Sequence, residues 1–379
     1  MKIALVSDWY SPRLGGIESH LAELKQRLTD AGHEVHVVTT TPGPEGNGVH
    51  RVKASRLPWA EVMYTPAGAR ALAEAIDRVS PDVVHSHVSI VSPTAFIGAK
   101  HAQRRGIGTV LTFHSFIPAT PAYMGVVGAL CGARKWNAVL TAVSGRVARE
   151  VESFAGRPVE VLSNGVDCGF WRRDDAGRGV YPEERSDEGL GVNSRKAESS
   201  GAVALVSVMR LNAKKRPGML VQLARRLRRR GKEFTLTIVG DGPMLRQMGA
   251  MTAGMPGVEL TGRLTRDQVR AIYARSDIFV LPTERESFGL AALEARSMGL
   301  PVVAMRQSGL GEMISDGVEG LLANSDREWM DQVERLIDDR AMQERITQHN
   351  RATAIACSWD RSLADHLGVY HRAITAQQA

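Results

Sequence analysis

Cysteine is scarce in this chain of 379 residues: Cys131, Cys168 and Cys357 are the only three, and no two of them form a Cys-x-x-Cys pair. Neither a disulfide framework nor a thiolate metal centre is suggested, and a reducing compartment fits. Long hydrophobic runs are missing from the start: in MKIALVSDWYSP the apolar stretch ends at Asp8. That is too brief for a signal peptide or a spanning helix, so it reads as a buried first strand of a cytoplasmic protein. Asp-x-Asp does not occur, nor does a His/Cys/carboxylate group at ligand spacing along the chain. Charge on a leaving group is therefore expected to meet protein cations and amides, with no metal and no other cofactor.

What is present belongs to a folded α/β protein. Apolar residues make up 43% and charged residues 23%, and the length suits two cores of about 150 to 200 residues each. Over residues 1–171, short β-branched runs (KIALVSD, EVHVVTT, DVVHSH, GTVLTFHS, AVLTAVS, VEVLSNGVD) alternate with helical patterns at 18–31 and 67–79. This rhythm predicts a parallel sheet with crossover helices, and ligands at the carboxyl ends of its strands. Residues 172–200 lose apolar periodicity and read as a polar linker or insertion. From 201 to 358 the rhythm restarts (AVALVSVMR, FTLTIVGDGP, VELTGRL, DIFVLPT, PVVAMRQSG). The helical segment from 359 to 379 is expected to cross back onto the first lobe.

Several positions carry chemistry. In ERESFGLAALEA, Ser287, Phe288, Gly289 and Leu290 open a helix after a buried strand, and free amides at such an end form an anion site. Glu286 would accept sugar hydroxyls from a diphosphate sugar docked there, and Glu294 the ribose hydroxyls. In RLNAKKRPG, Arg210 and Lys215 follow a strand, where cations neutralise a leaving diphosphate; Lys214 and Arg216 read as a surface charge run. Gly15 and Gly16 separate the first strand from a helix, so their backbone can approach a phosphate. For His114 in TFHS two readings stand, a sugar contact and a satisfied structural histidine. VGDGP at 239–243 lacks the third glycine of a dinucleotide fingerprint, since position 245 is Leu245, and so does not indicate a dehydrogenase.

Taken together, Glu-x7-Glu at 286–294, Arg-x4-Lys at 210–215, GGIE, TFHS, SNGVD and VGDGP resemble the retaining GT-B glycosyltransferases of family four along nearly the whole chain. Within that family, VSDWYSPRLGGIESHLAELKQRLTDAGHEVHVVT is similar to the N-acetylglucosaminyltransferases that begin glycosylphosphatidylinositol assembly. Bacterial phosphatidylinositol mannosyltransferases share the framework. The resemblance implies two facing Rossmann-like domains, with the second binding a UDP- or GDP-sugar and the first the acceptor hydroxyl. It places Gly16 by the donor phosphate or acceptor, His114 at the sugar, Arg210 and Lys215 at the diphosphate, Glu286 at the sugar hydroxyls and Glu294 at the ribose. Arg263 in TGRL would border the base, and 164–167 would form a lobe junction. The acceptor it implies is a lipid or lipid-linked glycan, with a small polyol or polysaccharide as the alternative.

A net charge of +7 favours anionic partners. A nucleotide-sugar or nucleic-acid binder without transfer activity is the reading from another class, but the cations of LARRLRRRGK lie on one helix without interleaved aromatics, which fits a solvated face and argues against nucleic acid. The segment 119–136 reads equally as a peripheral contact with an anionic membrane, at the inner face of the cell membrane, and as a buried helix with its loop.

Overall fold

The computed structural model describes residues 1–13, 15–53, 65–116, 136–173 and 201–378. Its first lobe runs through β1 (Lys2–Ser7), α1 (Gly16–Asp30), β2 (Glu34–Thr39), β3 (Val49–Arg51), α2 (Pro66–Val79), β4 (Val83–Val88), α3 (Pro93–Arg104), β5 (Gly108–Phe113), β6 (Val139–Ala142), α4 (Gly145–Ala155) and β7 (Glu160–Val161). All pair in parallel, in the order β3-β2-β1-β4-β5-β6-β7. The continuous apolar runs have a physical reason: Ile3, Ala4, Leu5 and Val6 are all fully buried, because helices cover both faces of the sheet. Local chemistry sets the helix ends. Thr65 accepts a bond from the Gly68 amide ahead of Pro66, and α2 stops at Ser80 in a left-handed conformation.

The second lobe repeats the plan with β8 (Val203–Val208), α5 (Gly218–Arg229), β9 (Phe234–Val239), α6 (Leu245–Thr252), β10 (Val258–Gly262), α7 (Arg266–Ala274), β11 (Ile278–Leu281), α8 (Leu290–Ser297), β12 (Val302–Met305), β13 (Gly320–Ala323), α9 (Asp326–Asp338) and α10 (Arg340–Ala352). Its strands, also parallel, lie in the order β10-β9-β8-β11-β12-β13. In each sheet the winding reverses once, between β1 and β4 in the first lobe and between β8 and β11 in the second. Crevices at such reversals, beyond the carboxyl ends of the strands, are where open α/β sheets bind ligands.

The last helix, α11 (Trp359–Gln378), leaves the second lobe and lies on the first. Its Val369, Tyr370 and Ala373 share a core with Leu21, Leu24, Val83 and Val110. The crossing runs through SNGVD: Val166 bridges to Ser358, and the Val166 amide donates to the Cys357 carbonyl at 2.9 Å. A Cβ on Gly165 would overlap the Trp359 indole, so glycine is what lets the two connections between the lobes run side by side. Most of the polar 172–200 stretch and of the 119–136 segment lies outside the described residues. Among the described residues, no helix is long and apolar enough to cross a membrane.

Candidate active site between the lobes

The second lobe's crevice opens on the loops after β8 and β11. Lys215, in the 3-10 turn of Ala213–Lys215 that Asn212 caps, pairs through Nζ with the Glu286 carboxylate. The Lys215 carbonyl accepts the Thr283 hydroxyl at 3.1 Å, so the two loops are joined by backbone as well as by charge. Arg210 projects, exposed, from the end of the β8 strand, on the same loop as Lys215. That loop is braced by VGDGP: the Leu211 amide donates to the Asp241 carbonyl at 2.9 Å and the Met244 amide to the Leu211 carbonyl at 3.0 Å. Gly240 and Gly242 have φ of 149° and 150°, and a Cβ on either would overlap the backbone of Met209 or Leu211. The motif thus holds the Arg210 loop in place.

The residues before α8 form a loop rather than a helix opening. The helix starts at Leu290, so Glu286, Ser287 and Phe288 lie ahead of it. Two glycines impose this. Gly289 is left-handed, with φ of 87°, and a Cβ there would sit 2.6 Å from the Leu310 side chain. Gly309 packs its backbone on Glu286 and Ser287, its amide donating to the Glu286 carbonyl at 2.6 Å. Phe288 is buried beneath, while the first amides of α8 have no partner within the helix. Across the cleft, Gly16 opens α1, and a Cβ on it would lie 3.9 Å from Leu290 Cδ1. The glycine loop of the first lobe and the amide end of the second therefore face each other.

Glu294, one turn into α8, is half-buried. Burial pushes its carboxyl up to about 7, with Glu23 of the first lobe adding to the rise and Arg266 opposing it. Arg266 is a residue that reading the sequence missed. Its guanidinium pairs with Glu23 at 2.7 Å and approaches Asp167 at 3.7 Å, and it stacks 4.3 Å from the Phe170 ring. Its place at the first residue of α7 gives no sign of these contacts in the sequence. Arg263 lies close by in the chain, exposed after Gly262 at the end of β10.

Arg216 departs from the expected surface run. It is left-handed, with φ of 57°, and its guanidinium donates to the Pro282 carbonyl at 3.2 Å and pairs with Glu284 and Asp326. It ties the β8 loop to the β11 loop and to α9, whereas Lys214 is exposed.

In the first lobe's crevice, Asp8 follows β1 and accepts the Thr94 amide at 3.1 Å, anchoring the start of α3; burial pushes its carboxyl up to about 6. His114 follows β5, is buried, and shares a 2.9 Å hydrogen bond with His87. Burial, with His366 nearby, drives its imidazole down to about 3, so it is neutral near pH 7. The expectation that no histidine cluster forms at ligand spacing holds only along the chain. In space His20, His87 and His114 converge, each offering a nitrogen within 4.8 Å of the others. Positions so far apart in sequence give no spacing signal.

The comparisons with known proteins divide along the same lobes. The model of the family described as Glycosyltransferase Family 4 matches residues 14–170, and that described as Glycosyl transferases group 1 matches residues 202–339. Among curated relatives, the sulfoquinovosyl transferase of Arabidopsis thaliana is 28% identical over 81% of this chain, which spans only 60% of that relative. The D-inositol 3-phosphate glycosyltransferase of Pseudarthrobacter chlorophenolicus is 27% identical, covering 98% of this chain and 96% of the relative. Among solved structures, Anabaena HepE in complex with UDP-glucose superposes with a TM-score of 0.73 at 18% identity, over 97% of this chain and 98% of that one. With one family model on each lobe and the same two-sheet architecture from end to end, the chain belongs to the family 4, group 1 glycosyltransferases of the GT-B fold.

Proposed function

We propose that this glycosyltransferase takes a hexosyl group from a UDP- or GDP-sugar and passes it, with retention at the anomeric carbon, to a hydroxyl of an inositol-type or lipid-borne acceptor. The observation that carries the reading is the meeting of Lys215, Glu286 and the amide end of α8 at the winding reversal of the second sheet, opposite Gly16. A diphosphate entering there would compete with Glu286 for the Lys215 ammonium and take the α8 amides, with Arg210 as a second cation. Released from Lys215, the Glu286 carboxylate is left to accept sugar hydroxyls. Glu294 would accept the ribose hydroxyls, with Arg263 at the edge of the base site. His114, neutral, would offer one nitrogen to a sugar hydroxyl.

With protein cations fixed around the leaving diphosphate, its charge is met without magnesium, and the phosphate oxygen itself can take the acceptor's proton on the face from which it departs. The inositol acceptor is supported by the D-inositol 3-phosphate glycosyltransferase relative, of which this chain covers 96%. The positive net charge suits a phosphorylated acceptor or an anionic membrane surface.

The test incubates the protein with UDP- and GDP-hexoses, each with and without inositol phosphate or phosphatidylinositol vesicles, in the presence of a magnesium chelator. Products are read by proton NMR at the anomeric carbon. An α-product from an α-donor, formed in chelator, supports the reading; sugar turnover independent of any acceptor removes it.

A further inference from the structure

Five histidines from distant parts of the chain meet in the first lobe: His20 on α1, His85 and His87 on β4, His114 after β5 and His366 on α11. Residues two apart on a strand share a face, and the rings of His85 and His87 lie 3.9 Å apart. The His20 ring is 5.5 Å from that of His114 and stacks on Trp359 at 5.3 Å. A neutral imidazole has one donor and one acceptor nitrogen, and of the outer members His85 is supplied at both and His366 at Nδ1. His85 meets the Tyr370 hydroxyl at 2.9 Å and the Thr112 hydroxyl at 2.6 Å, and His366 meets the Ser362 carbonyl at 2.6 Å. The inner three are not. His87 and His114 share one bond, and both His20 Nδ1 and His87 Nε2 are buried without a hydrogen-bond partner.

We propose that His20, His87 and His114 form a binding site for a divalent transition-metal ion of the zinc class. The rings are 3%, 1% and 6% exposed, and one nitrogen of each lies within 4.8 Å of the other two; no other such group occurs among the described residues. A polar atom left buried and unmatched loses its hydration with nothing in return, and a metal ion answers a bare imidazole lone pair. Three neutral imidazoles without a carboxylate match zinc, cobalt or copper, and do not match magnesium or calcium. At metal–nitrogen distances of about 2.0 to 2.1 Å a tetrahedral ion brings its nitrogens to about 3.4 Å apart. The rings therefore close inward, exchanging the His87–His114 hydrogen bond for metal bonds. The ion then joins α1, which carries Gly16, to the ends of β4 and β5.

The test uses the full chain, tag-free and treated with chelator. Co²⁺ is titrated by visible absorption and Zn²⁺ by calorimetry, with the melting temperature read alongside. Expected are one ion per chain, a tetrahedral cobalt spectrum and a melting point that rises with Zn²⁺. His20→Ala and His87→Ala should each weaken binding by at least about tenfold. His20→Gln, nearer in volume, replaces any variant that fails to fold. The surface pair His36 and His50, 2.9 Å apart beside Glu34, is the competing site. Binding lost in His36→Ala but kept in His20→Ala and His87→Ala overturns the proposal, as does no saturable uptake at micromolar concentration. Every readout is metal binding, so failure here leaves the donor-site reading standing, and failure of sugar transfer leaves this site standing.

Discussion

At the scale of the residue, Lys215 and Glu286 act through one another. Their ion pair stands only partly exposed, at 25% and 15%, so each holds the other in place, and the proposed diphosphate would have to displace one from the other. Lys215→Ala should lower kcat by about 10²- to 10³-fold, the loss expected when one fixed donor to a developing charge is removed, while the fold is kept. Equal turnover in the variant and the parent would end the assignment. Glu294 yields a prediction in pH. Its folded-state carboxyl titrates at about 7 against an ordinary value of 4.5. The unfolded chain therefore ionises first, and the stability associated with this group is full below about 4.5 and is lost as pH rises through 7. In the donor complex proposed above, ribose hydroxyls would donate to the ionised form, so donor affinity should move the opposite way, improving between pH 6 and 8 and then levelling off. Glu294→Gln should flatten that profile. Titration calorimetry with the donor across this range decides the matter, and an unchanged slope in the variant would count against a ribose contact.

At the scale of the element, the strand rhythm was readable because parallel strands buried on both faces leave unbroken apolar runs, as in Ile3 to Val6 and Ile278 to Leu281. The Lys215 and Glu286 positions were readable because polar residues in the loops that follow such runs fall at the mouth of the sheet. The start of α8 was not, since helix propensity in SFGLAALEA says nothing of Leu310, which leaves no room for a side chain at the left-handed Gly289, or of Gly309, which packs on Glu286 and Ser287. Nor was the bracing by VGDGP, where the deciding contacts are with the backbone of Met209 and Leu211, some thirty residues earlier. That bracing is open to test. Gly242→Ala adds a Cβ against Leu211 at a φ unfavourable for alanine, a strain of about 1 to 3 kcal/mol. The expected outcome is a lower melting temperature together with a fall in kcat as the Arg210 loop shifts. A variant that melts earlier yet turns over normally would show that the brace serves stability alone.

At the scale of the whole molecule, the two lobes are held unequally. The return helix α11 is set into the first lobe by a shared apolar core, whereas among the described residues ion pairs join the lobes at both edges of the cleft. Arg266 meets Glu23 at 2.7 Å on one side. On the other, Glu312 of the second lobe pairs with Arg149 and accepts the Arg146 amide at 3.0 Å, and Arg285 lies 3.9 Å from Glu150. The arginines of these pairs are exposed and the glutamates half-buried, and such surface pairs contribute about 0 to 1 kcal/mol each and weaken with salt. If these pairs set the approach of the lobes, the arrangement seen here is only slightly favoured without substrate, and a donor that bridges the lobes, as proposed above, would supply the rest of the bias. Glu312→Ala, which removes two cross-cleft contacts without touching the donor residues, should raise the donor KM about fivefold, the equivalent of about 1 kcal/mol, and leave kcat near that of the parent. In solution scattering without donor, the variant and the parent at high salt should both show a larger radius of gyration than the parent at low salt, and saturating donor should draw all three together. A radius that ignores salt, substitution and donor alike would mean that the cleft is held shut by something other than these charges.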